Sequence, residues 1–431
     1  MSPAITTTPE TGFVPPPPKA RANYLRDVLI GALPLLFSIQ LLAWLAFFPN
    51  ALRGHADFRQ LYTAGYLVRA GHSHELYDYG LQRKVQDSLV SNDERALPFI
   101  RPAYQALLFV PFSLISFRAA YLTFLIVNLG MLVLCFVLLR DNLGNLRNEW
   151  RGLPPALFLA FYPISLAIMQ GQDSILLVAC LCVSLLCLQR RRQISAGLLL
   201  GLGLFKLQIV IPMALLFLVW RSWRFLAGFT ITSGILTAVS IRITGWPQTL
   251  VFIRSLLAVG VNTNPADPIK FPLRVTLMAN LRGLIAGLFA GHISTAWIQV
   301  ATAVASILVL IWVGSRVPRN TNQDELFSIA IVASVLVSYY LFIHDLAALL
   351  IPVVFTLNRF IGCPIDGARL GFAKWMAALL LVAPMLVFLM PEHFYLVSLL
   401  IFIFLFILVQ ICQVESITAM PGIEGRHRKL A

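Results

Sequence analysis

A few polar side chains sit at or beside the long apolar runs of this chain, and their types suit acid–base and anion chemistry. Asp57 lies in the stretch GHADFRQLYTAGYLVRAGHSHELYD, residues 54–78, just after the apolar run Val28–Phe48. Apolar or small residues recur at Phe58, Leu61, Tyr62, Gly65 and Tyr66, which is one face of a helix, while Arg59, Gln60 and Arg69 are expected on the other. Such a helix lies along a membrane surface. A carboxylate at its start serves either as a base for a lipid-borne substrate or as a helix cap, with Gln60 completing a capping-box pattern. Lys206 interrupts the apolar stretch Ile194–Trp220. A lysine there is costly in lipid and is a functional candidate by default; the plain alternative is a side chain that snorkels to the interface. His344 and Asp345 follow the run Phe327–Phe342, and Gln172 and Asp173 precede Ser174–Leu188. Each pair either caps the next helix or faces a site. Arg101 and Arg282 either bind phosphate or anchor interfacial segments, and Tyr62 is either an interface aromatic or a substrate contact.

These candidates must be positioned by helices in lipid. The 431 residues are 58% hydrophobic and 12% charged, against roughly 25% charged in a soluble domain. Apolar runs near spanning length recur throughout, which predicts an all-α polytopic membrane protein. The net charge of +14 does not point to nucleic acid, because the basic residues gather in short loops between apolar runs. Cysteines 135, 180, 182, 187, 363 and 412 form no disulfide framework, and Cys180-x-Cys182 has no neighbouring ligand pair, so core packing explains them better than metal. In His72-Ser73-His74-Glu75 the two histidines do not share a helix face, and the cluster reads as a solvated loop. No metal site and no cofactor is expected.

Loop charges predict the topology. Lys19, Arg21 and Arg26 precede the first span and place the N-terminus in the cytoplasm. The outer segment 49–118 then holds Asp57 and Arg101-Pro102-Ala103. The piece 102–117 is short and contains Pro111; lying in the outer interface, it leaves Arg140, Arg147 and Arg151 inside. Arg190-Arg191-Arg192 is the strongest cytoplasmic marker. Ile194–Trp220 satisfies Arg221 and Arg224 only as two short helices broken near Lys206, a break that Gly197, Gly201, Gly203 and Pro212 favour. A second outer loop, 244–294, carries an interfacial segment with Arg274, Asn280 and Arg282. The result is about twelve spans, with both termini cytoplasmic and Asp57, Gln172, Asp173, Lys206, Arg282, His344 and Asp345 on the outer face. The expected organisation is a disordered tail over 1–25, one transmembrane domain over 26–412 and a cytoplasmic tail over 413–431. The first apolar run is long and late, so it is expected to remain as an anchor rather than be cleaved.

No nucleotide-binding glycine loop accompanies this outer polar set, and no nucleotide pool exists outside an inner membrane. A donor must therefore arrive in the lipid, a requirement that an isoprenyl-phosphate sugar meets. An isoprenyl-phosphate sugar would need cations for its phosphate and a base for the acceptor hydroxyl.

Four pieces of the chain resemble a known family. They are Asp57-Phe58 with Tyr62, Ala64-Gly65, Gly71 and Leu76-Tyr77-Asp78; Arg101-Pro102-Ala103-Tyr104 running into Leu107, Pro111 and Phe117-Arg118; Gly171-Gln172 followed by Ala196-Gly197, Gly201 and Lys206; and His344-Asp345-Leu346 with Pro352. Their order is similar to that of the GT-C superfamily of membrane glycosyltransferases. The branch they most resemble contains the polyprenyl-phosphate-mannose-dependent phosphatidylinositol mannoside mannosyltransferases. The resemblance covers roughly residues 30 to 360 and implies a GT-C-like fold with juxtamembrane helices in the first outer loop. It implies an inverting hexose transfer from a polyprenyl-phosphate donor to a lipid or glycan acceptor, on the outer face of a bacterial inner membrane. The general base would be Asp57. Lys206, with Arg282 and His344, would meet the donor phosphate, while Gln172, Arg101, Asp345 and Tyr62 would be possible substrate contacts. The expected partners are the lipid donor, the acceptor and membrane lipids, and no nucleic acid. Relatives often carry two prolines where this chain has Pro102-Ala103. The rival reading is a transporter or lipid flippase of the cell envelope, although no internal repeat of the kind such proteins show is visible.

Overall fold

The structure is a computed structural model that describes residues 24–92, 96–258, 274–289, 291–318, 320–361 and 368–418. The prolines Pro15–Pro18, Lys19 and Arg21, the loop residues Asn262–Asn264 and the C-terminal basic residues Arg426, Arg428 and Lys429 lie outside the described residues, as do most of both expected tails.

The described residues form helices and short helical turns without strands. In chain order the helices are α1 (Tyr24–Asn50), α2 (Phe58–Arg69), α3 (Tyr79–Leu89), α4 (Tyr104–Phe109), α5 (Phe117–Leu139) and α6 (Gly144–Glu149). There follow α7 (Leu153–Ala160), α8 (Tyr162–Met169), α9 (Ser174–Gln189), α10 (Gln193–Leu202), α11 (Leu207–Val219) and α12 (Trp223–Ala258). The last six are α13 (Leu281–Phe289), α14 (Thr295–Arg316), α15 (Gln323–Val337), α16 (Leu350–Phe360), α17 (Ala368–Val382) and α18 (Val397–Thr418). A polytopic all-α membrane protein is what the apolar runs predict and what the fold is.

Eight helical stretches among the described residues are long and apolar enough to cross a membrane, fewer than the roughly twelve read from apolar runs. The difference lies in short helices and in the stretch Gln193–Val219, which counts once by length although it comprises α10 and α11. The run at 153–169 is split into α7 and α8 at Phe161, α9 has 16 residues and α15 has 15. These pieces need no full lipid-facing length because other helices surround them. Every residue of α15 from Leu326 to Val337 is buried.

The stretch 194–220 folds back on itself. As one straight helix it would hold Gly197 and Phe217 roughly 30 Å apart. Instead, a Cβ on Gly197 would meet the Phe225 carbonyl oxygen at 1.9 Å, and the Phe217 ring stacks on Phe225 at 3.9 Å. Both positions therefore neighbour the start of α12, and the 3₁₀ turn Gly203–Lys206 is the apex between α10 and α11. Glycine at 197 and 228 is what lets α10 and α12 pack backbone to backbone.

The charged connections gather at one end of the bundle. There Arg26 pairs with Glu149 at 3.7 Å, Gln189 donates to Asp324 at 2.7 Å, and Arg359 pairs with Glu325 and Glu415. The α9 and α11 helices end at the same level in left-handed arginines, Arg191 (φ 59°) and Arg221 (φ 56°). The polar candidates lie at the opposite end, a length of α9 away, about 24 Å.

Two cores support this arrangement. The larger is the helix bundle; the smaller packs α2 and its neighbours over the start of α5. Its centre is Phe58, whose ring meets Tyr62, Phe109, Phe112, Phe117, Tyr121 and Phe124. Each such aromatic pair adds about 0.5–1.5 kcal/mol beyond its burial. The α2 helix and the short α4, which does not cross, press together at Gly65, where a Cβ would lie 2.3 Å from the Phe109 carbonyl oxygen. Arg59, expected on the solvent face of α2, is instead fully buried and donates to the Ser91 carbonyl at 3.1 Å. The 72–92 segment covers Arg59, while Gln60 stays half-buried and Arg69 exposed.

Inside the bundle, the break between α7 and α8 is satisfied from α1. Gln40 donates its amide to the Ala160 carbonyl at 2.7 Å, and Trp44 donates to Ser165 Oγ at 2.8 Å.

Candidate active site

The α1 helix ends in a wide turn, Ala51–His55, in which Gly54 takes φ 105°. This turn delivers Asp57 to the N-cap position immediately before α2. The carboxylate there makes no capping hydrogen bond. The helix-cap alternative is thus set aside: one carboxylate oxygen, Oδ2, accepts from the Gln172 amide at 2.7 Å.

The connection between α8 and α9, Gln170-Gly171-Gln172, acts as a bracket for Asp57. The Asp57 backbone N–H donates to Gln170 Oε1 at 3.2 Å, and the Phe58 N–H donates to the Gln170 carbonyl at 2.9 Å. Gly171 is left-handed (φ 60°), and a Cβ there would sit 2.7 Å from Phe58 Cβ. From beneath, Tyr121 donates to the Met169 carbonyl at 2.6 Å and Asn128 to the Gln172 carbonyl at 3.2 Å. Arg101 donates to Gln172 Oε1 at 2.9 Å. A guanidinium can only donate, so the amide oxygen of Gln172 must face Arg101 and its NH₂ must face Asp57. The orientation of the Asp57 carboxylate is set by this chain of donors.

Behind Gln172 lies a buried ionic cluster. Asp173 is fully buried and accepts from Arg101 and from Gln105. It occupies the N-cap position just before α9 without making a side-chain cap bond. Burial opposes ionisation of Asp173, but Arg101 and Lys206 outweigh it and hold the carboxyl below the ordinary carboxylate range. Lys206 Nζ sits between Asp173 at 3.0 Å and Asp345 at 2.5 Å, and is 2% exposed. Asp345 also accepts from Ser174 Oγ at 3.3 Å and from the Phe342 N–H at 3.1 Å. His344 stacks on Phe342 with ring centroids 5.4 Å apart. Its Nε2 lies 3.5 Å from Asp345 and makes no hydrogen bond.

A cavity of about 400 Å³ opens in front of this cluster. Asp57, Arg101, Gln172, Lys206 and His344 line it, and Asp345 stands behind Lys206. Six candidates read from the sequence are thus brought together from five separate connections.

Two others are not. Arg282 is buried in α13, its guanidinium 4.4 Å over the Tyr339 ring and donating to the Tyr339 carbonyl at 3.3 Å; it does not line the cavity. Tyr62 donates to the Ile115 carbonyl at 2.9 Å and packs edge-on against Phe117, so it locks α2 to the turn after α4. Sequence reasoning in turn missed Gln105, Gln170 and Arg274. Gln105 and Gln170 carry no charge and sit in short segments without a periodic signal. Arg274 was visible only as one of several polar interruptions in the interfacial piece, and its exposed side chain lines the cavity.

Among the described residues no group of three or more His, Cys, Asp or Glu is arranged to hold a metal. The arrangement as a whole offers an oriented carboxylate on the wall of a cavity, a neutralised ionic cluster beside it and the His344 ring and arginine guanidinium groups on the same lining.

A family model described as Glycosyltransferase family 87 matches residues 99–342, more than half of the chain. No curated protein matches the chain, and no solved structure does.

Proposed function

The chain belongs to glycosyltransferase family 87, and from that premise we propose that it moves a mannose-like hexose from a polyprenyl-phosphate donor to a hydroxyl of a lipid or glycan acceptor. The transfer takes place on the outer face of a bacterial inner membrane and inverts the anomeric centre. Family membership favours transferase chemistry over the transporter or flippase reading. The donor class rests on the absence of a nucleotide-binding loop, on the site's place at one end of the bundle and on the resemblance of the four sequence pieces.

In this mechanism the acceptor hydroxyl lies against Asp57. As its oxygen attacks the anomeric carbon, the bond from that carbon to the phosphate oxygen breaks. The hydroxyl proton passes to Asp57, and the polyprenyl phosphate departs with the bonding pair. Asp57 is directed by Gln172 so that its remaining oxygen, Oδ1, which accepts no hydrogen bond among the described residues, receives the proton. His344 lines the same cavity, and in this reading its ring N–H meets the departing phosphate. Lys206 lines the same cavity, but Asp173 and Asp345 already match its charge, so its contribution to the phosphate is orientation of the cluster.

The observation that carries the reading is the Asp57 carboxylate, held at the cavity wall by Gln172 rather than spent as a helix cap. The test is transfer by purified protein in proteoliposomes supplied with polyprenyl-phosphate hexoses and a lipid acceptor extract. Asp57→Asn is expected to lower turnover by about 10²–10⁴-fold with normal folding. Undiminished turnover in that variant removes Asp57 as the base.

A further inference from the structure

The charges around the cavity do not balance uniformly. Arg101 and Lys206 are each matched by buried carboxylates, Asp173 and Asp345. That leaves two charged lining residues unmatched: Asp57 and Arg274. Arg274 is exposed and lines the cavity. It immediately precedes the 3₁₀ turn Val275–Leu277, and among the described residues no carboxylate lies within ion-pair reach of it. Leu97, Ile100, Leu277, Met278 and Leu341 line the same cavity. Arg274 is thus a cation on a lining rich in apolar side chains, and among the described lining residues the other unmatched charge is negative.

We propose that Arg274 is the residue that receives the phosphate of the lipid-borne donor, with the apolar lining residues taking the first part of its chain. The proposal deepens the transferase reading and rests on it for the identity of the donor. An anionic phosphate is a costly guest beside three carboxylates unless an uncommitted cation meets it, and the guanidinium fork fits two phosphate oxygens at once. Arg282, in the same interfacial segment, does not serve because its guanidinium is turned onto Tyr339.

The test is equilibrium binding of polyprenyl phosphate and of uncharged polyprenol to the detergent-purified full chain, by native mass spectrometry and tryptophan fluorescence. Arg274→Gln is expected to weaken polyprenyl phosphate by about 10–100-fold, the worth of a charge-assisted pair, with polyprenol binding unchanged. Arg274→Lys is expected to fall between wild type and Arg274→Gln. Equal loss of both lipids, or wild-type affinity for the phosphate in Arg274→Gln, overturns the assignment. Displacement of the lipid by inorganic phosphate at equal concentration overturns its lipid specificity. Because binding is read without turnover, an Arg274-dependent preference for the phosphorylated lipid in a protein that transfers no sugar would sink the transferase reading and leave this one standing.

Discussion

Lys206 shows how a single side chain changes meaning once its neighbours are known. A lysine in an apolar stretch is conspicuous in a sequence, and its cost in lipid marks it as functional. The structure places its ammonium between two buried carboxylates, where it has structural work to do. Removing it leaves Asp173 and Asp345 with one cation, Arg101, between them. Lys206→Met is therefore expected to lose about 3–5 kcal/mol of stability, read as a lowered midpoint in thermal melting of the purified protein. A normal midpoint with only a raised donor KM would instead make Lys206 a direct phosphate ligand. The charged members of the cluster were readable in the sequence because charges near lipid are few. The division of labour between Arg274 and Arg282 was not, because nothing in a short interfacial piece says which side chain turns inward. Gln172 was readable as a candidate, but its role as the link between Arg101 and Asp57 depends on a contact across 115 residues.

At the scale of elements, the Gln170-Gly171-Gln172 bracket is what positions Asp57. Gly171→Ala forces a β-carbon into Phe58 Cβ and into a left-handed backbone, a conformation that costs about 1–2 kcal/mol for an L-residue. The expected result is a fall in kcat of at least about tenfold, since a misplacement near 1 Å has such an effect, with the donor KM little changed. Retained kcat in a well-folded Gly171→Ala protein would show that the bracket does not set the geometry. The reversal at Gly203–Lys206 was legible from its glycines, Pro212 and the arginines that had to return to one side. The number of full-length spans was not, because α9 and α15 are short and sheltered by neighbours, and shelter is a tertiary property that no apolar run records.

For the whole molecule, the bundle separates two polar ends: basic connections at one and the cavity at the other. In the proposed orientation the cavity end faces outward. A cysteine at Arg83 in α3, whose side chain is 67% exposed, is expected to react with a membrane-impermeant maleimide added to intact spheroplasts. A cysteine at Arg191, in the turn between α9 and α10, is expected to react only after permeabilisation. Each is made in a background with the native cysteines replaced by serine or alanine. Reaction of both from the same side would refute the separation, and the reverse pattern would invert the orientation.

The bond from Gln40 to the Ala160 carbonyl also constrains how the chain is built. A backbone carbonyl exposed at a helix break in hydrocarbon costs several kcal/mol, and its partner here is made 120 residues earlier. Gln40 therefore meets this acceptor only once α7 and α8 have been made, and the two halves of the bond are joined by assembly of the bundle, not by insertion of either helix alone.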